Sequence, residues 1–389
     1  MSTLPPVVLA LAGWNFLVGL LSIRSALFYR AYARRAAGEG AAKDSGEPSR
    51  TLLIVPCCGL EAGLEENLEA YFAQDHPRFS IRFVVESGSD GAVSVIERVR
   101  ARHPEKGDLI IAGPARGRSQ KVQNLLAALE NRPPADVLVF GDSDGRPARD
   151  WLKLLVAPLD RAEVGAASSY RFYLAEPASF ATLLRSVWNT AVLTVLGDHD
   201  HNFAWGGATA IRVDTFERIG VTEAWRGALS DDYALTHAVR RAGLKVDFVP
   251  ACLVGSRGEV GVWELVSWCA RQIAITRVYW PALFAVAAAT HLLYGAFLGL
   301  ALARGDFALV GIVLLPGLLG GGLRALAVAD LAPQWRMTIS RHLWAYFLMV
   351  PLAGLLTLAG VLRALWSRRI SWRGKIYEMR SPTETRLIP

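Results

Sequence analysis

Two carboxylates one residue apart follow an apolar run in the stretch LVFGDSDGRP, residues 138–147. If the extended geometry of the run persists, Asp142 and Asp144 point to the same side. A hard divalent cation such as Mg²⁺ or Mn²⁺ needs few protein oxygens and takes its other ligands from phosphate and water. The pair therefore suits a metal–diphosphate site, although Asp is also frequent in solvated turns. Gly145 leaves space beside Asp144, which favours Asp144 as the direct ligand, with Asp142 acting through water or supporting a ribose.

A second acidic pair, Asp231 and Asp232, precedes the amphipathic stretch ALTHAVRRAG, residues 234–243. Acidic side chains cap helix N-termini and are favoured there by the helix dipole. One acid of the pair can therefore cap the helix, which leaves the other free to act as a general base. Capping by both acids is the alternative interpretation.

Two further segments carry groups that could meet a ligand. In Trp205-Gly206-Gly207 the adjacent glycines allow the backbone to approach a ligand closely, or they form a plain turn. The segment WCARQ, residues 268–272, lies just before the apolar C-terminal third. Its arginine, Arg271, could meet a leaving diphosphate, or the segment could be a snorkelling belt at a membrane surface.

The elements that must position these groups are indicated by short apolar runs that alternate with helical spacing. The expected strands are 52–55, 81–85, 109–111 and 137–140, and the expected helices are 65–73, 93–99 and 122–129. This alternation predicts an α/β domain with a mostly parallel sheet covered on both faces. Ligands of such sheets bind outside the carboxyl ends of the strands, where the polar residues 86–90 and 142–144 lie.

A membrane anchor is predicted at the N-terminus. Residues 5–23 are almost wholly apolar, which is about the 20 helical residues that cross a bilayer. Arginines follow this stretch and no charge precedes it, so we interpret it as a retained anchor rather than a signal peptide. By the positive-inside rule, its N-terminus is expected outside and the next domain in the cytoplasm, at a bacterial inner membrane.

Three further apolar blocks occupy residues 282–303, 307–332 and 343–366. If all three cross the membrane, the basic C-terminal tail lies outside, against the positive-inside rule. We therefore expect one block to be re-entrant, either 307–332 with its glycines 320–322 or 343–366 with Pro351. Residues 180–196 are also apolar, and they either dip into the membrane interface near an acceptor or form a core helix.

These features predict five regions along the chain. They are an anchor at 1–27, a linker at 28–50, a catalytic domain with an interfacial helix at 51–280, a membrane region at 281–367 and a basic tail at 368–389. The net charge of +7 suits phosphate-bearing substrates or an anionic membrane surface. Because the positive charge clusters at the membrane flanks and no aromatic-rich RNA motif is present, no nucleic-acid partner is expected.

Taken in order, these segments resemble the family 2 and family 21 glycosyltransferases, especially ceramide glucosyltransferases and bacterial lipid-glycosylating relatives. The resemblance rests on VPCCGLEAGLEENLEAYFAQDHPRFSIRFVVES, SQKVQNLLAAL, VFGDSDGRP, WGGATAIRVDTFERIG, LSDDYALTHAVRRAG, WCARQIAITRVY and WRGKIYEMRSPTET. It implies a GT-A fold and inverting transfer of a sugar, with glucose favoured, from a UDP-sugar to the hydroxyl of a membrane lipid such as ceramide. Hopanoid or diacylglycerol acceptors, a polysaccharide synthase and a non-enzymatic membrane scaffold are the alternatives.

The resemblance also implies roles for individual residues. Asp142 and Asp144 would hold Mg²⁺ or Mn²⁺ on the UDP diphosphate, Asp232 with Asp231 beside it would deprotonate the acceptor, and Arg271 would steady the diphosphate. The residues expected at the nucleotide are Pro56, Glu86, Lys121, Asp142 and Gln272, and those expected near the acceptor are Trp205, Gly206, Gly207, His199 and Trp268. The family's QxxRW motif is altered here at both ends, at Trp268 and Gln272.

Overall fold

The computed structural model describes residues 4–38 and 48–388. These residues form two compact units. The sheet unit consists of residues 48–172, Leu196–Ser256 and 369–388, and the helical unit consists of residues 4–38, Tyr173–Val195 and Arg257–Arg368. Elements are numbered in chain order across both units.

The sheet unit is built on a seven-stranded sheet of order β3-β2-β1-β4-β7-β5-β8. The first nine strands are β1 (Thr51–Pro56), β2 (Phe79–Val85), β3 (Gly107–Ile111), β4 (Val137–Gly141), β5 (Val164–Ser168), β6 (Arg171–Tyr173), β7 (Ala208–Arg212), β8 (Lys245–Phe248) and β9 (Val254–Ser256). Only β7 runs antiparallel to its neighbours in this sheet, and β6 and β9 form a separate pair. The predicted α/β class with a mostly parallel sheet is confirmed.

Helices cover both faces of the sheet, as expected for buried parallel strands. The helices of the sheet unit are α2 (Leu64–Phe72), α3 (Ala92–Arg102), α4 (Gln120–Leu129), α5 (Trp151–Val156), α7 (Val213–Arg218), α8 (Val221–Trp225) and α9 (Asp231–Arg241). Successive residues of β1 face opposite sides: Leu53 packs in the core with α2, α3 and α5, and Ile54 in the core with α4 and α7 to α9. The sheet therefore separates two apolar cores and leaves its carboxyl edge for polar groups.

The C-terminal tail folds as a three-stranded antiparallel sheet within the sheet unit. Its strands are β10 (Arg369–Trp372), β11 (Lys375–Ser381) and β12 (Glu384–Ile388). We expected only a basic tail here, because the charged residues obscure the alternation that places Ile370, Tyr377 and Met379 inside. We call residues 369–388 the C-terminal hairpin.

Three helices among the described residues are long and apolar enough to cross a membrane. They are the helices α1, α11 and α12 of the helical unit. The helices of this unit are α1 (Pro6–Gly38), α6 (Phe180–Leu193), α10 (Val262–Tyr279), α11 (Pro281–Ala303), α12 (Phe307–Leu331), α13 (Arg336–Arg341), α14 (Leu343–Leu348) and α15 (Val350–Trp366). Helix α1 continues to Gly38, so residues 28–38 are helical and not part of a linker, and residues 39–47 of the predicted linker lie outside the described residues.

Helices α1 and α12 run in the same direction along each other. A Cβ on Gly19 would lie 2.9 Å from Cβ of Pro316, Arg324 donates to Ser22 Oγ at 2.8 Å, and Arg30 pairs with Asp330 at 2.8 Å. Along these contacts the residue numbers increase in both helices, so the two helices are parallel. The arginine inside the second apolar block thus faces a neighbouring helix, to which it donates one hydrogen bond, as expected of an intramembrane charge.

The glycines at 320–322 are packing positions and not a kink, because α12 is continuous through them. Side-chain atoms at these positions would meet Ser22, the Tyr346 carbonyl and the Phe347 ring. Small residues let membrane helices approach closely. The helix is interrupted instead in the third block, between α14 and α15 at Met349.

Helix α6 covers residues of the apolar segment that we expected at the interface or in a core. It belongs to the helical unit, where Ser186 Oγ lies 2.6 Å from the Tyr346 hydroxyl and Trp188 Nε1 donates to Thr357 Oγ1 at 3.0 Å. Its buried face is therefore anchored to the third apolar block by polar contacts as well as by packing.

The packing of α1 on α12 can be tested with two glycines of the same helix. We expect Gly19→Val to overpack the contact with Pro316 and lower stability by about 1–3 kcal/mol. Gly13 has no neighbour within 4 Å, so Gly13→Val serves as the matched control. Thermal unfolding of the purified proteins in one detergent measures both. Equal unfolding temperatures for the two variants would contradict the packing described here.

Candidate active site

Polar side chains meet at the carboxyl edge of β1, β2 and β4, as predicted. Pro56 ends β1 and Glu86 follows β2, and Asp142 directly follows β4. The three strands are adjacent and parallel, so their carboxyl ends lie side by side. Helix α4 adds Lys121 to this edge, in the first turn after the capping residue Ser119.

The two acids of the Asp142-Ser143-Asp144 motif converge on one cation. Arg171 donates to Asp144 Oδ2 at 2.7 Å and to Asp142 Oδ2 at 3.1 Å. A single guanidinium that reaches both carboxylates shows that both can face one positive centre, so this donor set fits a divalent cation. Among the described residues no group of three or more His, Cys, Asp or Glu side chains is arranged to hold a metal, so substrate oxygens would have to complete its coordination.

Gly145 does not open space for an ion. A Cβ at this position would lie 2.9 Å from Cγ1 of Val254, on β9. The glycine is therefore required by the close approach of the Val254 side chain, and our argument that it favours Asp144 as the direct ligand is wrong. The side chain of Asp144 is still the more exposed of the two acids, at 35% against 22% for Asp142.

Lys121 connects the Asp142-Ser143-Asp144 motif to the second acidic pair. Its Nζ lies 2.9 Å from Asp142 Oδ1 and 3.4 Å from Asp231 Oδ2. Burial alone would raise the pKa of Asp142, but the charges of Lys121 and Arg171 hold it below its usual range. Burial raises the pKa of Asp231 to about 6, Asp232 and Asp142 add to this rise, and Lys121 opposes it. The lysine is thus the shared counter-ion of both carboxylates.

The two acids at the start of α9 have different surroundings. Ser230 is the N-cap of α9, where its side chain accepts from the Tyr233 N–H, and both acids lie in the first turn. The Ser230 hydroxyl and the Tyr233 N–H also donate to Asp232 Oδ1, the latter at 2.7 Å, and Asp232 stays half-buried. Asp231 is 5% exposed and faces Lys121. The expectation that one or both acids cap the helix is therefore wrong, because the preceding serine takes that position.

The adjacent glycines bring the backbone against this cluster. A Cβ on Gly206 would overlap the Asp231 carboxylate, and one on Gly207 would overlap Asp142 and the ring of Trp205. The Arg171 guanidinium lies 5.1 Å from the centre of the Trp205 ring. The segment is thus part of the acidic site, whichever ligand it meets.

The remaining predicted residues lie on other elements of the chain. His199 is in an exposed loop, where its Nδ1 accepts from the His201 N–H at 3.2 Å. Trp268, Arg271 and Gln272 lie on α10 of the helical unit, where the Trp268 ring packs edge-on against Trp188. Their roles at the acceptor, the diphosphate and the nucleotide stay predictions from the resemblance.

Three site residues were missed by sequence reasoning: Arg171, Glu61 and Arg373. Glu61 accepts a hydrogen bond from Ser143 Oγ at 3.2 Å and another from Arg373. Each reaches the site across a long stretch of chain, and Arg171 stands in none of the quoted segments. Glu61 and Arg373 do stand in quoted segments, VPCCGLEAG and WRGK, but the resemblance gave neither residue a role.

The fold and this edge define a glycosyltransferase of the GT-A type. A mannosyltransferase from Pyrobaculum calidifontis, solved in complex with GDP-Man and Mn²⁺, has a similar fold, with a TM-score of 0.56 and 18% identity over 92% of this chain and 99% of that one. The sequence matches glycosyl transferase family 21 over residues 16–385, and the chain belongs to that family.

One relative is matched over a shorter segment. Ceramide glucosyltransferase 1 from Caenorhabditis elegans is 30% identical over 87 residues, which are 21% of this chain and 19% of that protein. The match thus spans about a fifth of the relative's length, and it supports the family without fixing the substrates.

The raised pKa of Asp231 predicts a pH dependence of sugar transfer. As the pH falls below about 6, Asp231 takes up a proton and the charge facing Lys121 is lost, so kcat/KM should fall about tenfold per pH unit. In Asp231→Asn this fall of kcat/KM at low pH, the acidic limb of the pH–rate profile, should be absent, because the side chain is neutral at every pH. A pH–rate profile from pH 5 to 8 measures it.

Asp214 provides the control, because it also lies in the first turn of a helix but is exposed. Asp214→Asn should keep the wild-type profile. An acidic limb that persists unchanged in Asp231→Asn would assign it to another group.

Proposed function

We propose that this protein is a membrane-bound inverting glycosyltransferase that moves a hexose, with glucose favoured, from a UDP-sugar to the hydroxyl of a membrane lipid such as ceramide. The observation that carries the proposal is the cluster at the carboxyl edge of the sheet, where Lys121 joins the Asp142 motif to Asp231. Family membership supports sugar transfer, and the partial match to a ceramide glucosyltransferase favours a lipid acceptor. Three apolar helices would anchor the protein in the membrane in which such an acceptor resides.

Inverting transfer needs a base for the acceptor hydroxyl and positive charge for the departing UDP. Asp142 and Asp144 would hold Mg²⁺ or Mn²⁺, which neutralises charge on the diphosphate when bound. Lys121 and Arg171 orient these carboxylates before the donor binds. Because both cations are tied to the motif, they also supply charge close to the leaving group.

We assign Asp232 as the base that takes the proton of the acceptor hydroxyl. Its carboxylate stays half-buried, so an acceptor can reach it, whereas Asp231 is enclosed with Lys121. The Ser230 hydroxyl and the Tyr233 N–H fix its orientation at the start of α9. Asp231 then acts as a positioning residue that ties this helix to the Asp142 motif.

The membrane topology follows from counting the crossings. Helices α1, α11 and α12 are the spans, so the chain returns after α12 to the side on which α1 ended. The parallel packing of α1 and α12 agrees with this count, since Arg30 and Asp330 meet at their C-terminal ends. The arginines after the anchor then place the sheet unit and the C-terminal hairpin together on the cytoplasmic side.

The third apolar block is proposed to be the re-entrant one. The break at Met349 lies beside Gly321, ten residues or about 15 Å from the end of α12. The Tyr294 hydroxyl, halfway along α11, donates to the Pro351 carbonyl at 3.1 Å. Residues 343–366 would therefore enter to mid-depth through α14 and leave on the same side through α15, which restores the positive-inside rule.

The reaction can be tested with purified protein, labelled UDP-sugars and a panel of lipids that includes ceramide. We expect a glycolipid product whose formation stops with EDTA. Asp232→Asn should lower kcat by about 10²–10⁴-fold, because a general base contributes about that much. The Asp214→Asn variant should turn over normally.

Each outcome addresses a separate part of the proposal. No product from any UDP-sugar and lipid would refute the function. Activity that is indifferent to EDTA would refute the metal role of Asp142 and Asp144, and near-normal turnover by Asp232→Asn would exclude it as the base.

The topology can be tested with single cysteines in a background that lacks Cys58, the exposed native thiol. Arg304→Cys, between α11 and α12, should react with a membrane-impermeant maleimide added outside intact cells. Arg386→Cys, on β12, should react only in inverted vesicles. If both cysteines are labelled from the same side, the two helices α11 and α12 do not both cross the membrane and the proposed topology is wrong.

A further inference from the structure

The C-terminal hairpin presents an arginine at its tip. Trp372 pairs with Lys375, so Arg373 and Gly374 form a two-residue turn. Both have positive φ, 51° and 75°, as the favoured type I′ hairpin turn requires. A non-glycine residue in this region is uncommon, so the side chain at the tip needs an explanation.

The tip reaches the acidic edge of the sheet. The Arg373 guanidinium donates to one oxygen of Glu61, and Ser143 Oγ donates to the other at 3.2 Å. Ser143 stands between Asp142 and Asp144, so one carboxylate links the hairpin to the metal motif. Next along the chain, Lys375 Nζ lies 2.6 Å from Glu86 Oε1 at the end of β2.

The hairpin is fixed in this position by packing. Tyr377 is 2% exposed, and its hydroxyl accepts from the N–H of Gln120, the residue before Lys121, at 3.2 Å. A Cβ on Gly227 would overlap the Thr383 carbonyl. The tip is therefore held against the sheet and is not the end of a loose tail.

The Arg373 guanidinium is accessible to a ligand at this edge. Burial and the neighbouring Asp144 raise the pKa of Glu61, and Arg373 opposes this rise. The Arg373 side chain remains 48% exposed, so it can leave Glu61 for a stronger partner without crossing a core. A diphosphate is such a partner, because guanidinium groups bind its oxygens in a bidentate manner.

We propose that the C-terminal hairpin completes the donor site, with Arg373 binding the diphosphate of the nucleotide donor and Lys375 holding Glu86 at the nucleotide. The inference rests on the proposed function, since it names a further binding residue of the same site. This role requires the hairpin to lie on the same side of the membrane as the sheet unit, as the proposed topology has it.

The experiment compares UDP and uridine binding to the full-length protein in detergent. Arg373→Asn removes the cation but suits the turn, because Asn tolerates positive φ. We expect it to weaken UDP binding at least about tenfold, as loss of a charge-assisted hydrogen bond does. Uridine, which lacks phosphate, should bind as it does to the wild type. Arg373→Lys should recover part of the UDP affinity.

Two variants separate ligand binding from a structural role. Arg380→Gln removes a cation of similar exposure from the same hairpin, where it pairs with Glu384, and should bind UDP like the wild type. Glu61→Gln removes the partner of Arg373 and keeps the guanidinium. If Arg373 meets the diphosphate, Glu61→Gln binds UDP at least as tightly as the wild type. If Arg373 acts only through its ion pair, Glu61→Gln loses affinity as Arg373→Asn does.

The outcomes are distinguishable from a failure of the proposed function. Unchanged UDP affinity in Arg373→Asn, or equal losses for UDP and uridine, would overturn the inference while wild-type turnover still stands. Selective loss of UDP binding supports the inference even if no lipid on the panel accepts a sugar. A wild-type protein that binds no nucleoside diphosphate would overturn both.

Discussion

The site depends on one lysine, with a side chain only 16% exposed, that pairs with two carboxylates from different elements. Lys121 Nζ lies within 3.4 Å of both Asp142 and Asp231, so removing the lysine would leave both carboxylates without this counter-charge. The end of β4, the first turn of α4 and the start of α9 are therefore held in one geometry. The glycines at 206 and 207 follow from the same constraint, because only residues without Cβ let the backbone pass this close to the acids. Bringing several charged side chains together out of water costs folding free energy, so a cluster of this kind indicates a ligand-binding edge.

The cations around this edge come from three separate parts of the chain. Lys121 is contributed by α4, Arg171 by β6 and Arg373 by the C-terminal hairpin. Each is paired with a carboxylate, and these ion pairs hold the acids in place. The proposed nucleotide diphosphate would bring further negative charge, so its binding would exchange partners within these ion pairs.

The helical unit follows a different rule, in which small residues and satisfied polar groups replace the hydrophobic effect. Gly19, Gly320 and Gly322 allow close helix contacts, and Arg324 faces α1, where Ser22 accepts one of its hydrogen bonds. These contacts decide what the hydropathy pattern left open. The glycines that resembled a kink are packing sites, and the interruption falls at Met349 in the third block.

The sequence by itself determined the parallel sheet, the strand ends and the acids that follow them, because alternating apolar runs and adjacent carboxylates are local patterns. It also carried the order of motifs that identifies the family. Only the tertiary structure decided that Ser230, and not Asp231 or Asp232, caps α9, that Gly145 accommodates Val254, and that Arg171 and Arg373 reach the Asp142-Ser143-Asp144 motif. These outcomes depend on contacts between residues far apart in the chain, which no local spacing records. The position of a charged side chain is fixed by its partner, and its partner is known only once the chain has folded.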